Sequence, residues 1–218
     1  MRRTISGLLL VILIIPFAAL ADGGKVESIG AFTGQGASES VRKALEPKGY
    51  RVMLPDGTAV CEIWFRSAIP AGKSDGSAAA YATLGESSLV GVINFTNDTR
   101  DFRGQAIKAG AYTLRHALHP ADGNHLGISQ VRDFLLLIPV SLDQNADAEY
   151  KFEELAKMSA KASGTNHPGV ISLVLPESKP APTLIENEHG HLVLMTKIKS
   201  QSGADLPIAI VVKGIGEQ

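Results

Sequence analysis

From residue 50 onward the chain is a succession of short apolar runs separated by turns that carry glycine or proline, and this rhythm restricts the fold more than anything else in it. Residues 50–54 and 58–66 flank Pro55-Asp56-Gly57, in which proline presets φ and glycine accepts a positive φ, so the two runs read as a hairpin. Further strands are expected at residues 25–32, 87–95, 111–118, 133–140, 170–175, 183–186, 191–199 and 206–213. Residues 133–140 are apolar without alternation and are expected to be buried on both faces. Helical spacing occurs at residues 39–45, with Ser38 or Ser40 as cap, and at residues 149–163, with Asp147 as N-cap and Gly164 as stop. Residues 69–79 and 97–103 read as exposed loop and turn, and the chain after Gly214 as a frayed tail. Many short strands with one or two helices define a mainly β, single β-sandwich or jelly-roll-like domain covering residues 22–218.

Residues 1–21 have the features of a signal peptide. Arg2 and Arg3 precede an apolar run from residue 8 to residue 21, which ends in Ala19-Leu20-Ala21, a small-x-small cleavage pattern. The run is shorter than the roughly 20 apolar residues a membrane span requires, and Pro16 interrupts it. The expected mature chain begins at Asp22 and is exported, to the periplasm or beyond the cell. Without Arg2 and Arg3 the basic residues fall from 21 to 19 against 22 acidic ones, a formal charge of −3. The charges are interspersed, so nucleic acid is not an expected partner, nor is a membrane surface after cleavage.

Cys61 is the only cysteine, so no intramolecular disulfide forms and the fold rests on its apolar core. It alternates with Ile63 and Phe65 on one strand face and reads as a buried small residue rather than a reactive thiol. The turn around Gly34 and Gly36 lacks the third glycine and long helix of a dinucleotide site. Trp64 reads as core, with a sugar-stacking platform as the alternative.

Reactive side chains concentrate between residues 116 and 133: His116, His119, Asp122, Asn124, His125, Arg132 and Asp133. Strand alternation places Tyr112, Leu114, His116 and Leu118 on one face and Thr113, Arg115, Ala117 and His119 on the other, which makes His116 a core histidine. His119 and His125 converge across the loop in one reading, and His167, at the end of the second helix, completes a three-imidazole metal site. Arg115 is expected to pair with Asp122 or Asp133. His189 and His191 flank Gly190 at a hairpin tip, where both are expected to be solvated. No Gly-x-Ser-x-Gly, His-Glu-x-x-His or Cys-x-x-Cys pattern occurs.

Residues 110–115, 120–127 and 132–139, together with 57–64 and 162–168, resemble a group of uncharacterised exported bacterial proteins over most of the mature chain. The piece from Ala109 to Leu114 is also similar to a wider secreted β-rich family of unknown function. The resemblance implies a bacterial, exported, single-domain protein and no particular chemistry.

The expected function is therefore a non-catalytic exported module binding a small ligand, a glycan or an envelope protein, without a cofactor. Its expected binding surface is the 119–132 loop with Tyr112, Arg115, Asp122, Asn124 and Arg132. The alternative is a metal-binding protein or metal-dependent enzyme holding a divalent transition metal at His119, His125 and His167, with Asp122 as ligand or base. A third possibility is an envelope protein that assembles through an exposed strand edge.

Overall fold

The computed structural model describes residues 24–70, 72, 79–119 and 131–216. The signal-peptide assignment lies outside these residues. The chain runs β1 (Lys25–Ile29), α1 (Glu39–Ala44), β2 (Gly49–Met53), β3 (Ala59–Phe65), β4 (Leu89–Phe95), β5 (Thr99–Arg100), β6 (Ala106–Ile107), β7 (Gly110–Leu118), β8 (Asp133–Pro139), α2 (Phe152–Ser163), β9 (Gly169–Val174), β10 (Thr183–Glu186), β11 (Leu192–Lys199) and β12 (Asp205–Lys213). The protein is mainly β with two helices, as its strand rhythm implies.

The large antiparallel sheet has the order β1-β2-β3-β4-β7-β8-β9-β12-β11-β10 and curls until β1 approaches β10, so that it nearly closes into a barrel. β9 to β12 form a Greek key: β10, β11 and β12 are consecutive hairpins, and β12 returns beside β9.

Local chemistry sets these elements. In the β2–β3 turn Gly57 takes φ 85°, while the Asp56 carboxylate accepts from the Thr58 amide at 2.8 Å. Ser38 caps α1, its hydroxyl accepting from Val41 N at 3.1 Å. Alternation sends Val52, Cys61, Ile63, Leu114, Leu135 and Ile210 inward with their neighbours, and these side chains fill the barrel. The opposite face of β8 presents Phe134, Leu136 and Ile138 to α2, whose Leu155 covers them. β8 is accordingly buried on both faces.

Four local expectations change. α2 begins at Phe152, not near residue 149, and Asp147 does not cap it. The Glu154 carboxylate instead accepts from Lys151 N at 3.0 Å, and Asp147 pairs with Arg66. The preceding residues are tied to the rest of the fold through Ala148 O and Tyr150 N, as described below. Ile69, at the start of the expected 69–79 loop, is wholly buried and bridges Ser200, its amide and carbonyl bonded to the chain around Ser200; residues 71 and 73–78 of that loop lie outside the described residues. The 97–107 region is the β5–β6 hairpin, organised by the buried Asp101 carboxylate, which accepts from the amides of Arg103, Gln105 and Val170. Residues 215–216, in the expected frayed tail, are tied down: Gly216 N donates to Phe102 O at 2.8 Å, and the His191 Nε2 lies 3.0 Å from Ile215 O. His191 also meets the Phe102 ring edge-on, so of the two hairpin-tip histidines only His189 is exposed.

Cys61 is fully buried and desolvation pushes its thiol up to about 12. The native protein should resist thiol reagents at neutral pH and react stoichiometrically once unfolded in urea. Rapid labelling of folded protein would contradict the buried assignment.

Candidate functional site

Two adjacent residues of β7, Arg115 and His116, point to opposite faces of the sheet, and both reach the same turn, residues 85–88. Arg115 is completely buried on the outer face and uses all five of its N–H groups. Nε and Nη2 each donate to Asp143 at 2.8 Å, Nη2 also to Asn145 O at 2.6 Å, and Nη1 to Ser87 O at 2.7 Å and Ala148 O at 2.8 Å. Asp143, also fully buried, accepts in addition from Thr113 Oγ1 at 2.7 Å. The Tyr150 ring lies 5.0 Å from the guanidinium carbon.

His116 is buried on the inner face. Its Nε2 is 2.9 Å from Asp133 Oδ1 and its Nδ1 is 3.2 Å from Gly85 O. The second oxygen of Asp133 accepts from Ala80 N at 2.8 Å. Tyr81 inserts its hydroxyl between β9 and β12, donating to Val174 O and accepting from Ala209 N at 3.1 Å. That contact extends the short β9–β12 ladder by one link, and burial pushes the phenol up to about 12.

The 85–88 turn itself is strained. Ser87 has φ 68°, a left-handed conformation disfavoured for a side chain bearing a Cβ. It is held by Ser87 N to His116 O, by Tyr150 N to Ser87 Oγ at 2.8 Å, and by the Arg115 bond to its carbonyl. Beside it opens a cleft of about 430 Å³, walled on one side by residues 79–88 and on the other by 146–150. Arg66, Glu86, Asp147, Glu149 and Tyr150 supply its polar rim and Leu84 part of its floor. Burial is the main cause that raises the Tyr150 phenol, reinforced by the Asp143 carboxylate.

The residues expected from sequence are distributed differently. Arg115 pairs with Asp143, not with Asp122 or Asp133, because residues 140–150 fold back over the outer face of β7; no N–H is left over for a ligand. Tyr112 faces the barrel interior, packs on Phe95 at 6.0 Å and donates to Lys108 O at 2.8 Å. Arg132 donates twice to His119 O, at 3.0 and 2.7 Å, at the foot of the expected loop. His119 stacks on Phe134 with ring centroids 4.3 Å apart. Asp122, Asn124 and His125 lie outside the described residues.

Of the three histidines expected to hold a metal, His119 and His167 are among the described residues and His125 is not. His119 follows Leu118, which pairs with Asp133 at the start of β8, whereas His167 precedes Gly169, which pairs with Leu137 near its end. At about 3.3 Å per residue this register separates the two histidines by roughly 20 Å along the strands. Among the described residues no three His, Cys, Asp or Glu side chains are grouped to hold a metal. Trp64 is core, donating from Nε1 to Gly30 O at 2.8 Å and meeting Phe32 edge-on, so it offers no platform. Among the described residues no helix is long and apolar enough to cross a membrane.

No protein-family model, curated protein or solved structure gives a significant match to this chain.

Proposed function

We propose that this protein is an exported, non-catalytic binding module and that its ligand is a small polar molecule received in the cleft between residues 79–88 and 146–150. The observation that carries this reading is the strained Ser87 turn, gripped by the buried Arg115 and His116 side chains and forming one wall of that cleft. Backbone strain of this kind costs about 1–3 kcal/mol and persists where neighbouring contacts over-determine it, as they commonly do at ligand sites. The cleft volume falls in the range of small-molecule sites, while the barrel interior is filled with side chains.

Binding is favoured over catalysis because the acid–base groups beside the cleft are engaged with the protein itself. Both nitrogens of His116 have protein partners, as do all five donors of Arg115. Glu86 and Glu149, exposed at the rim, and the Tyr150 ring are the groups left to meet a ligand. Carboxylates beside an aromatic ring suit hydroxyl- or amine-bearing molecules, including a saccharide of one or two rings. Export is supported by Arg2, Arg3 and the apolar run before Asp22, and by the resemblance to exported bacterial proteins.

A thermal-shift screen of mono- and disaccharides, amino sugars and small amines against residues 22–218 tests this. A hit is expected to weaken at least about tenfold in Glu86→Gln/Glu149→Gln, since each lost charged hydrogen bond is worth about 1.5–3 kcal/mol. The double variant should keep wild-type stability, because both side chains are exposed. Equal binding by wild type and double variant would remove the cleft as the site.

A further inference from the structure

We propose that the opposite end of the barrel holds a second site, which receives a free amino acid with an aliphatic side chain as its zwitterion. The cleft beside Ser87 sits where β3 and β7 end; a separate cavity of about 480 Å³ opens where β2 and β12 end. Leu54, Arg100, Glu186, Leu192, Lys213 and Ile215 line it.

Strand register aims two opposite charges at this cavity. Leu192 pairs with Lys213 but Val193 pairs with Val211, so Val212 is an extra residue in β12, a β-bulge. Directly opposed residues of an antiparallel ladder share a face. Glu186 opposes Leu192 from β10 and Lys213 opposes it from β12, so all three project on the side where Leu192 joins the barrel core. Without the bulge, alternation would carry Lys213 to the outer face with Val211. Two strand spacings set the Glu186 and Lys213 backbones about 10 Å apart across Leu192. Among the described residues neither side chain makes a hydrogen bond or ion pair. Arg100 adds a second cation; one of its N–H groups donates to Gly104 O at 2.6 Å and the others are uncommitted. Asp56, the next carboxylate beyond Pro55, is taken up by the Thr58 amide.

The apolar wall is held as firmly. Ile215 is 47% exposed, yet its backbone is anchored through His191 Nε2 and, one residue on, through Gly216 N to Phe102 O. Packing requires the glycines on either side of it. A Cβ on Gly214 would stand 2.4 Å from the His191 ring, and one on Gly216 would stand 2.7 Å from the Phe102 ring. The strap from Gly214 to Gly216 therefore presents an aliphatic side chain at a fixed place on the cavity that Leu54 and Leu192 also line.

Each part answers one part of a single ligand. Lys213 and Arg100 attract an α-carboxylate, Glu186 attracts an α-ammonium, and Leu54, Leu192 and Ile215 cover an aliphatic side chain. An aliphatic carboxylate alone would be repelled by Glu186, and an amine alone would meet two cations. The zwitterion uses both signs.

This site is separate from the cleft at residues 79–88 and 146–150, so either assignment can fail without the other. The test is a ¹⁵N NMR titration of the mature chain with L-leucine, with isocaproate, which lacks its ammonium, and with isoamylamine, which lacks its carboxylate. Leucine is expected to shift the Leu54, Leu192 and Ile215 amides saturably and to leave those of Gly85 and Ser88 in place. Its dissociation constant should lie at least about fivefold below that of either analogue, the factor that one exposed ion pair supplies. Lys213→Met and Glu186→Gln should each weaken leucine by a similar factor, and in Glu186→Gln the preference for leucine over isocaproate should vanish. Both side chains are exposed, so the melting temperature should stay at the wild-type value. The proposal is overturned if leucine gives no saturable shift, if either analogue binds as tightly as leucine, if the variants bind leucine as wild type does, or if the shifts centre on residues 85–88.

Discussion

Replacing Arg115 by methionine is expected to cost about 3–5 kcal/mol, a large share of the 5–15 kcal/mol available to a domain of this kind. The substitution strands the fully buried Asp143 carboxylate without its cation. It also leaves the carbonyls of Ser87, Asn145 and Ala148 without their donor. The double variant Arg115→Met/Asp143→Leu should recover much of the loss, because removing both charges ends the need to solvate either. Urea unfolding followed by far-UV circular dichroism measures both. An Arg115→Met protein with the wild-type midpoint would mean that this buried pair does not exist as described. The Ser87 turn provides a second reading. Ser87 O and Ala148 O lose a common anchor in the variant, so amide exchange at residues 85–88 and 148–150 should rise ahead of global unfolding.

The second large effect is expected at Tyr81. Tyr81→Ala removes a nearly buried ring from the main core and should cost about 3–5 kcal/mol. Tyr81→Phe isolates the hydroxyl. It leaves Ala209 N without its acceptor in a fully buried position and should cost about 1–3 kcal/mol. β9 and β12 pair directly only through Val174–Ala209 and Leu173–Ile210, so the loss should concentrate there. Hydrogen exchange at Ala209 should accelerate far more than at Leu135 in β8. Uniform acceleration across the sheet would show that Tyr81 acts through core volume alone.

The strand-level fold was legible because its signals are local. Residues 50–66 carry the hairpin through Pro55, Asp56 and Gly57, and Gly57 adopts the positive φ that its lack of a Cβ permits. The unbroken apolar run at residues 133–140 announces a strand covered on both sides, and α2 supplies the second cover. The α2 boundary was misplaced for a definite reason. Asp147 has cap chemistry, but Arg66 claims its carboxylate and Arg115 claims the carbonyl of Ala148, so the helix starts later.

The candidate site was less legible. His116 was readable as a core histidine from alternation alone, and Arg115 as one member of an ion pair. The partner, Asp143, lies 28 residues away with no spacing rule connecting the two. Ser87 and Glu86 carry no motif; their interest comes from a φ angle and a cleft, which are properties of the folded chain. The three-histidine arrangement had suitable residue types, and the β7–β8–β9 register places His119 and His167 at opposite ends.

Composition and periodicity by themselves determined that this chain is a mainly β domain without disulfide support, with β8 buried and a helix ending at Gly164, because each of these depends on neighbours within a few residues. Tertiary structure alone decided that the sheet curls nearly into a barrel, that Ile69 is buried beside Ser200, and that Arg115 and His116 grip one turn from opposite faces of a single strand. Those outcomes depend on contacts between residues about 30 or more apart in sequence, where a side chain's chemistry names what it needs but not which distant partner supplies it.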